Sequence, residues 1–261
     1  MNLTPYVKTP KEIDKMRQAC RAAASVLEYI GPFVTKGVTT DHLNTLCHDY
    51  ITKTLNAIPA PLNYKGFPKS ICTSVNHIVC HGIPNDKPLS NGDIVNIDIT
   101  VILDGYHGDT SKMFLVGDVK PHAQRLCNIA RECLYVGIEQ VKPGATVFDI
   151  GKAVEQHAIK NHYSSVRDFC GHGIGKEFHE PGFQILHYED TEQKNLVLEP
   201  GLTFTIEPMI NIGHYAVKVL RDGWTVITKD KTLSAQWEHT LLVTQTGVEI
   251  LTLREGETSP L

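Results

Sequence analysis

Residues 92–110, GDIVNIDITVILDGYHGDT, carry the clearest structural pattern in the chain. Isoleucine, valine and leucine dominate residues 94–103, and such a run predicts a buried strand. Asp104-Gly105 is a preferred pair for a two-residue hairpin turn, so a return strand is expected to begin at Tyr106. The sequence therefore predicts an antiparallel hairpin here.

The turn also fixes which side chains share a face of the hairpin. Thr100 is predicted to lie opposite Asp109, and Asp98 opposite Ser111, so the two aspartates are diagonal neighbours. Acids on an apolar hairpin have two explanations. Either this face is solvated and the other is buried, or the acids are buried and bind a cation, because buried charges are costly unless paired or bound to metal.

Four helices are expected around such hairpins. Thr9-Pro10-Lys11-Glu12 has the pattern of a helix start, with a capping threonine and a glutamate three residues later. Apolar residues then recur at helical spacing until Gly31-Pro32, which is expected to end the helix. Further helices are predicted from Thr39 or Thr40, over residues 121–141, and from Thr146.

The two halves of the chain repeat one order of signals. Three pairs of segments correspond: residues 36–39 with 143–146, 81–83 with 172–174, and 92–98 with 201–207. The last pair places a carboxylate at the same offset from a glycine that opens a strand. We therefore predict a duplicated unit with α+β architecture, its sheets facing inward and its helices outside. No Ser/Gly linker divides it, so residues 1–261 are expected to form one domain, with halves of roughly 10–118 and 121–252.

Composition excludes several classes of protein. The chain has 261 residues and a net charge of −4 without a basic block, which argues against a nucleic-acid surface. No run approaches the roughly 18 apolar residues of a membrane helix, and residues 1–5 do not resemble an export signal. The seven cysteines are odd in number and form no CxxC pair, so we expect free thiols in a reducing cytoplasm.

Three more candidate residues lie in the second half. His172 is flanked by glycines, where a backbone can approach a ligand closely. Glu207 ends an apolar strand before a proline, and Glu238 leads into the strand at residues 241–243. A structural histidine and two surface glutamates are the alternative. With Asp98 and Asp109 they make four carboxylates and one imidazole, a set that suits Mn(II), Fe(II), Co(II) or Zn(II), and enough acids to bridge two ions.

At this point the motifs are recognisable. The chain resembles the type I methionine aminopeptidases, most closely their bacterial form, over nearly its whole length. These enzymes have the pita-bread fold, a pseudo-two-fold α+β domain with a central antiparallel sheet and helices on the outside. The motifs that carry the resemblance are His81-Gly82-Ile83-Pro84, the hairpin with Gly108-Asp109-Thr110, Cys170-Gly171-His172-Gly173-Ile174-Gly175, Thr205-Ile206-Glu207-Pro208 and Gln236-Trp237-Glu238-His239-Thr240.

The resemblance implies a role for each matching residue. Two divalent ions (Co, Mn, Fe(II), Zn or Ni) would have five ligands, of which Asp109 and Glu238 bridge both ions. The implied metal ligands are Asp98, Asp109, His172, Glu207 and Glu238. The implied non-ligand histidines are His81 and His179, and the implied methionine pocket is Tyr64, Phe67, Cys72, Phe178 and Trp224. Asn76, Ile78 and Ser234 match a peripheral monovalent-cation site.

The pocket departs from the family pattern at two positions. Pro61 falls where close relatives carry a cysteine, and Phe67 falls where they carry a tyrosine. The loop after His179, residues 180–183, is one residue longer than expected.

The implied reaction removes the initiator methionine from nascent proteins that have a small second residue. A metal-bridging hydroxide would attack the first peptide carbonyl, with Glu207 as general base and then acid, His179 binding the carbonyl oxygen and His81 the scissile nitrogen. The expected partners are the nascent polypeptide and, as a further candidate, the ribosome. We expect a monomer with no nucleic-acid or membrane partner.

Three alternatives remain open at this stage. Proline-directed relatives usually carry a large N-terminal domain, for which this chain has no room. A non-catalytic binding protein on the same fold would typically have lost ligands. A metal-storage or sensor domain would have no use for His81 and His179.

Overall fold

The computed structural model describes residues 3–259; Met1 and Asn2, part of the stretch inspected for an export signal, and residues 260–261 lie outside it. Within this range the α-helices are α1 (Pro10–Ile30), α2 (Thr40–Asp49), α3 (Pro121–Ile138) and α4 (Val147–Lys160). The strands are β1 (Ile58–Pro59), β2 (Cys72–Val75), β3 (Ile78–Cys80), β4 (Ile94–Leu103), β5 (Tyr106–Leu115), β6 (Ser164–Ser165), β7 (Gly171–His172), β8 (Gln184–Ile185), β9 (Thr203–Ile206), β10 (Met209–Asn211), β11 (Val217–Val219), β12 (Val226–Thr228), β13 (Ser234–Gln236), β14 (His239–Val243) and β15 (Val248–Ile250).

The first helix begins as its sequence predicts. Thr9 caps α1 and forms a reciprocal capping box with Glu12, while Pro10 occupies the first helical position. The helix ends at Ile30, where a 3-10 turn over Gly31–Phe33 follows. Its buried face packs against β4 and β5, so α1 covers one side of the hairpin.

The central hairpin has the predicted register. Thr100 pairs with Asp109, and Asp98 with Ser111, across the turn at Asp104-Gly105. The solvated-face alternative is wrong, because Asp109 is only 4% exposed. The apolar side chains on the opposite face are fully buried as well. The hairpin is therefore covered on both sides.

The strand pairs found among residues 3–259 are all antiparallel and form five small sheets. The largest has the order β1-β4-β2, with β5 also paired to β4; the others have the orders β13-β10-β6, β11-β12-β3, β15-β14-β9 and β7-β8. Strands β13 and β14 pack against the β4–β5 hairpin, and α3 covers β10 and β13. Helices on the outside and sheets within confirm the predicted α+β class.

Two of the three predicted correspondences between the halves have matching backbone geometry. The glycines that open corresponding segments have matching positive φ angles, 90° at Gly37 and 84° at Gly144, then 94° at Gly92 and 96° at Gly201. The N–H of Gly37 donates to the Leu89 carbonyl at 2.8 Å, and in the second half Gly144 makes the equivalent bond to the carbonyl of residue 198 at 3.0 Å. Each unit thus folds its turn, helix and strand in one pattern. The assignment of residues 1–261 to a single catalytic domain, with halves of 10–118 and 121–252, stays a prediction.

One helix is shorter than predicted. Helix α3 ends at Ile138, and residues 139–141 form a turn in which the Val141 N–H donates to the Ile138 carbonyl at 2.9 Å. The apolar spacing continued to Val141 because that side chain is buried in the core from the turn. Among residues 3–259, no helix has the length and apolar character needed to cross a membrane.

Candidate metal centre

Side-chain bonds from one half to the backbone of the other hold the two halves together at the hairpin. Thr110 Oγ1 donates to the Glu238 carbonyl at 2.7 Å, and Thr240 Oγ1 donates to the Asp109 carbonyl at 2.7 Å. Asn96 Nδ2 donates to the carbonyl of residue 236 at 2.8 Å. These bonds are buried, and they place Glu238 beside Asp109 although the two residues are far apart in the sequence.

The predicted acids and histidine converge on one point. Ligand atoms of Asp109, His172 and Glu238 all lie within 4.8 Å of one another, and all three residues are buried. His172 Nε2 is 3.6 Å from Asp109 Oδ2 and 3.6 Å from Glu207 Oε1. Asp98 Oδ1 is buried and accepts no hydrogen bond from any residue in the range 3–259. The fold therefore brings Asp109, Glu207 and Glu238 to His172, and Asp98 lines the same cleft.

The buried carboxylates of this cluster can stay ionised only if positive charge lies beside them. Burial, and then repulsion from the neighbouring carboxylates, raises the pKa of Asp98 and of Glu238 well above the ordinary range. Burial likewise raises the pKa of Glu207 to about 7, against the opposing attraction of His172. Divalent ions favour such oxygen-rich sites with one imidazole, and they would hold the carboxylates ionised. The donor set thus fits a divalent metal centre.

Polar neighbours orient the carboxylates. Thr100 Oγ1 donates to Asp109 Oδ1 at 2.8 Å, and Thr205 Oγ1 donates to Glu207 Oε1 at 2.8 Å. The Glu207 backbone N–H donates to His187 Nε2 at 3.1 Å. Sequence reasoning placed Thr100 opposite Asp109 but missed the other two. The two-residue offset of Thr205 from Glu207 was a usable signal; nothing in the sequence pointed to His187.

The two histidines predicted not to bind metal face the same cleft. His81 has a positive φ of 55°, and its ring lies edge-on to Phe169, with centroids 5.4 Å apart. Burial is the main cause that lowers its pKa, to about 4. The His179 ring lies 4.1 Å from the His172 ring, and its Nδ1 is 2.9 Å from the Tyr64 hydroxyl. The pKa of His179 is lowered as well, first by desolvation and then by the charge of His172. Both imidazoles are therefore neutral near pH 7.

One cleft of about 320 Å³ contains the cluster and the predicted apolar wall. The Phe67 and Trp224 rings meet edge to face with centroids 5.2 Å apart, and the Tyr64 and Phe178 centroids lie 4.9 Å apart. The predicted residues that line the cleft are Tyr64, Phe67, Cys72, His81, Asp98, Asp109, His172, Phe178, His179, Glu207, Trp224 and Glu238. Pro61, which the sequence analysis placed in the pocket, lines it too. Cys170 and Met209 also line the cleft, although neither was predicted to belong to the pocket.

The residues of the predicted monovalent-cation site lie outside the main cleft. The Ser234 N–H donates to the Asn76 carbonyl at 2.9 Å, which brings β13 against the turn between β2 and β3. Ile78 begins β3 in the same turn region. The Ser234 hydroxyl is buried without a partner among residues 3–259. Cation binding there stays a prediction.

The interpretation of the glycines beside His172 was wrong in one respect. They were expected to let a ligand approach the backbone. Instead, a Cβ on Gly171 would lie 2.3 Å from the Thr205 carbonyl oxygen, and one on Gly173 would lie 2.3 Å from the Phe183 ring. Protein atoms fill the space beside these glycines, so the motif serves packing around His172.

Comparison with known proteins agrees with this geometry. The sequence profile of metallopeptidase family M24 matches residues 14–245. A methionine aminopeptidase of Salmonella typhimurium is 54% identical over 255 residues, which cover 97% of this chain and 96% of that protein. The crystal structure of the methionine aminopeptidase of Rickettsia prowazekii is 56% identical, with a TM-score of 0.92 over 95% of this chain and 99% of that one.

A prolidase from Pyrococcus furiosus shares the fold at 24% identity, with a TM-score of 0.75, and this chain covers 66% of its length. Family profile, full-length relatives and superposable structures agree with the motifs read from the sequence. The chain belongs to metallopeptidase family M24, among its methionine aminopeptidases.

Proposed function

We propose that this enzyme uses two divalent ions to remove the N-terminal methionine from new polypeptides, with a preference for a small second residue. The observation that carries the proposal is the convergence of Asp109, His172 and Glu238 within 4.8 Å, in the same cleft as an aromatic wall. A metal centre beside an apolar pocket suits hydrolysis of a peptide whose first side chain is apolar.

The buried acids fit the implied ions. Asp98 Oδ1 has no protein partner within residues 3–259, and the pKa of Glu238 is raised by burial beside like charges. We assign the ligands to Asp98, Asp109, His172, Glu207 and Glu238, which would together hold the ions. When bound, the ions would lower the pKa of a water and polarise the first carbonyl of the substrate. Mn(II), Co(II), Fe(II), Zn(II) and Ni(II) all suit this ligand set.

Glu207 is the proposed proton carrier. Its Oε1 lies 3.6 Å from His172 Nε2, so the carboxylate reaches the point where the attacking water would be held, as a general base must. The hydrogen bond from Thr205 Oγ1 at 2.8 Å holds its Oε1 in place. Glu207 would take the proton of the attacking water and pass it to the leaving amine.

His179 is the proposed donor to the carbonyl oxygen. Its lowered pKa keeps the ring neutral, and we assign the Tyr64 hydroxyl, 2.9 Å from Nδ1, as the donor of that bond, which would leave the ring proton on Nε2. A neutral donor aimed at a developing oxyanion stabilises the transition state more than the ground state. His81, which lines the same cleft, is the proposed contact to the scissile amide nitrogen.

The pocket for the first side chain is proposed to be the wall of Tyr64, Phe67, Cys72, Phe178 and Trp224. Aromatic rings and a sulfur suit a flexible thioether, because sulfur–aromatic contacts are favourable. Phe67 is 2% exposed and Cys72 is 7% exposed, so the pocket is enclosed at its base.

The cellular compartment and the oligomeric state of the enzyme are also part of the proposal. All seven cysteines lie in the described part of the chain and are free thiols, as expected in a reducing cytoplasm. We propose a monomer that acts on polypeptides as they leave the ribosome.

The first experiment measures methionine release from Met-Ala-Ser and Met-Leu-Ser peptides, with Mn(II), with Co(II) and with chelator. Metal-dependent cleavage of the first peptide, much faster than of the second, would support the reaction and the small-residue preference. Release that persists after chelation would contradict metal hydrolysis. No release with any metal from a folded protein that binds two ions would favour a binding protein.

A matched pair of variants tests the role of Glu207. Glu207→Gln should lower kcat by about two to four orders of magnitude, the usual contribution of a general base, or more because the side chain is also a proposed ligand. Glu139→Gln changes an exposed glutamate next to α3 and should leave turnover unchanged. Wild-type turnover by a metal-loaded Glu207→Gln protein would rule out the assignment.

A further inference from the structure

The loop that carries His179 has little regular structure of its own. It connects β7 and β8, two strands of two residues each, and residues 173–183 contain neither helix nor strand. Backbone bonds hold residues 173–175 to Thr203 and His107, and the Glu180 N–H donates to the Gly173 carbonyl at 2.8 Å; within residues 3–259 the His179 backbone itself makes no backbone–backbone bond. The position of His179 therefore depends on contacts with other parts of the chain.

Lys8, near the start of the chain, supplies a buried charged contact to this loop. Its Nζ lies 2.5 Å from Oε1 of Glu180, the residue after His179, and the two side chains are only 7% and 9% exposed. The Lys8 backbone N–H donates to the Gly201 carbonyl at 2.9 Å, just before β9. Lys8 thus connects the loop of His179 to the strand that leads into Glu207.

The ion pair explains two glycines of the motif around His172. A Cβ on Gly173 would lie 2.7 Å from Glu180 Oε2. A Cβ on Gly175 would lie 2.9 Å from Glu180 Oε1 and 2.9 Å from Lys8 Cε. A side chain at either position would displace the pair, so these glycines make room for it.

A second contact from the same segment holds the far side of the loop. The Tyr6 hydroxyl donates to the Pro181 carbonyl at 2.5 Å. The Tyr6 ring also stacks on Phe183, with centroids 5.8 Å apart, and Phe183 is fully buried. Residues 6–8 therefore fix the loop on both sides of Gly182, in the stretch that sequence reasoning found one residue longer than expected.

Stability alone does not account for the pair. Burial lowers the pKa of Lys8 and raises the pKa of Glu180, so desolvation outweighs the attraction between the charges. Buried ion pairs of this kind commonly add little to stability compared with an apolar pair of similar size. The pair does restrain the position of Glu180, the residue next to His179, relative to the N-terminal segment.

We propose that Lys8 and Glu180 are positioning residues for His179, and that residues 6–8 are therefore part of the active site. The ion pair holds the loop so that the His179 ring stays beside His172 and its Nδ1 stays on Tyr64. The effect on turnover rests on the role given to His179 in the proposed function; the effect on the loop does not.

The first test replaces Lys8 with Met and uses Lys11→Met as the matched control, because Lys11 is exposed on α1. Lys8→Met should lower kcat on a Met-Ala-Ser peptide by about tenfold, since loss of alignment alone commonly reduces rates by one to two orders of magnitude. KM should stay within about twofold, because His179 is proposed to act in the transition state. The control should match the wild type. Wild-type kcat in Lys8→Met would overturn the proposal.

A double-mutant cycle separates positioning from general damage. If Lys8 acts through His179, Lys8→Met should cause no further loss of kcat in a His179→Ala background. Losses that multiply in the double variant would show that Lys8 acts on turnover by another route, and would overturn the proposal.

Hydrogen exchange of the metal-free protein tests the pair without activity. The Gly173 and Glu180 amides, which close the loop, should exchange faster in Lys8→Met than in the wild type, while amides in α3 keep their rates. The neutral Lys8→Met/Glu180→Gln variant leaves no lone buried charge and should show the same local change even if the single variant folds poorly. Unchanged exchange in this variant would overturn the proposal. If the wild type released no methionine, the proposed function would fail, and exchange would still decide whether the pair holds the loop.

Discussion

Glu207 is expected to make the metal-free protein less stable as the pH rises from about 4.5 to 7. Burial raises its pKa from the ordinary 4.5 to about 7. With a raised carboxyl pKa, the folded protein keeps a proton that the unfolded chain releases. The contribution to stability is therefore full below pH 4.5 and is lost as the pH rises through 7. At about 1.4 kcal/mol per pH unit, this difference amounts to about 3 kcal/mol.

The assay compares the wild type with Glu207→Gln in the presence of chelator. Urea unfolding at pH 4.5, 5.5, 6.5 and 7.5 gives the free energy of unfolding of each protein. Glutamine does not titrate, so the difference between the two curves reports the titration of Glu207 together with its coupling to Asp98, Glu238 and His172. Buried histidines act in the opposite direction: the pKa of His187 is lowered to about 3 and that of His239 to about 4, so their contribution is lost as the pH falls below 6.5. Both histidines are present in both proteins, and their effect cancels.

Between pH 4.5 and 7.5, the free energy of unfolding of the variant should rise by about 3 kcal/mol relative to that of the wild type. This corresponds to roughly 6–12 °C in Tm for a chain of this size. A difference that stays constant from pH 4.5 to 7.5 would show that Glu207 has no raised pKa in the folded protein. Saturating Mn(II) should reverse the trend in the wild type, because metal binds the ionised carboxylates and competes with protons. At one hundred times Kd, the ion should add about 2.7 kcal/mol.

Three further predictions follow from the site. His179→Ala should lower kcat by about two to three orders of magnitude with both metals retained, measured by turnover together with metal analysis; loss of metal would instead mean that His179 is a ligand. Dialysis against chelator should abolish turnover, and Mn(II) should restore it; recovery with Mg(II) alone and not with Mn(II) would contradict a site containing an imidazole ligand. Gly171→Ala should lower the free energy of unfolding by about 2 kcal/mol or more, because its Cβ would lie 2.3 Å from the Thr205 carbonyl oxygen; wild-type stability in urea unfolding would show that β7 shifts easily.

Local signals were enough to predict the hairpin and the helix starts. The Asp104-Gly105 turn and a period of two determine that Asp98 and Asp109 share a face, and the observed register agrees. Capping residues such as Thr9 act within one turn of helix, so they too can be identified in the sequence. These features depend on residues close in the chain, which is why sequence reasoning identified them.

Long-range contacts were not predictable in the same way. Glu180 is 172 residues from Lys8, and no pattern in either segment indicates the partner. His187 accepts from the Glu207 backbone only because the chain folds back there. The end of α3 was wrongly predicted for a related reason. Val141 is apolar because it is buried in the core, although it lies beyond the end of the helix. Tertiary packing determines these contacts and this helix end, and the spacing of apolar residues in the sequence does not reveal tertiary packing.

The bonds that join the halves at the hairpin also constrain the order of assembly during synthesis. Asp98 and Asp109 can come to share a face of the local hairpin as soon as the first half has emerged, but Glu238 reaches Asp109 only through contacts such as that of Thr110 Oγ1 with the Glu238 carbonyl. Contacts so distant in sequence form late, because a long loop must close first. A nascent copy of this enzyme therefore stays inactive, and its proposed ligand set stays incomplete, until the second half has docked.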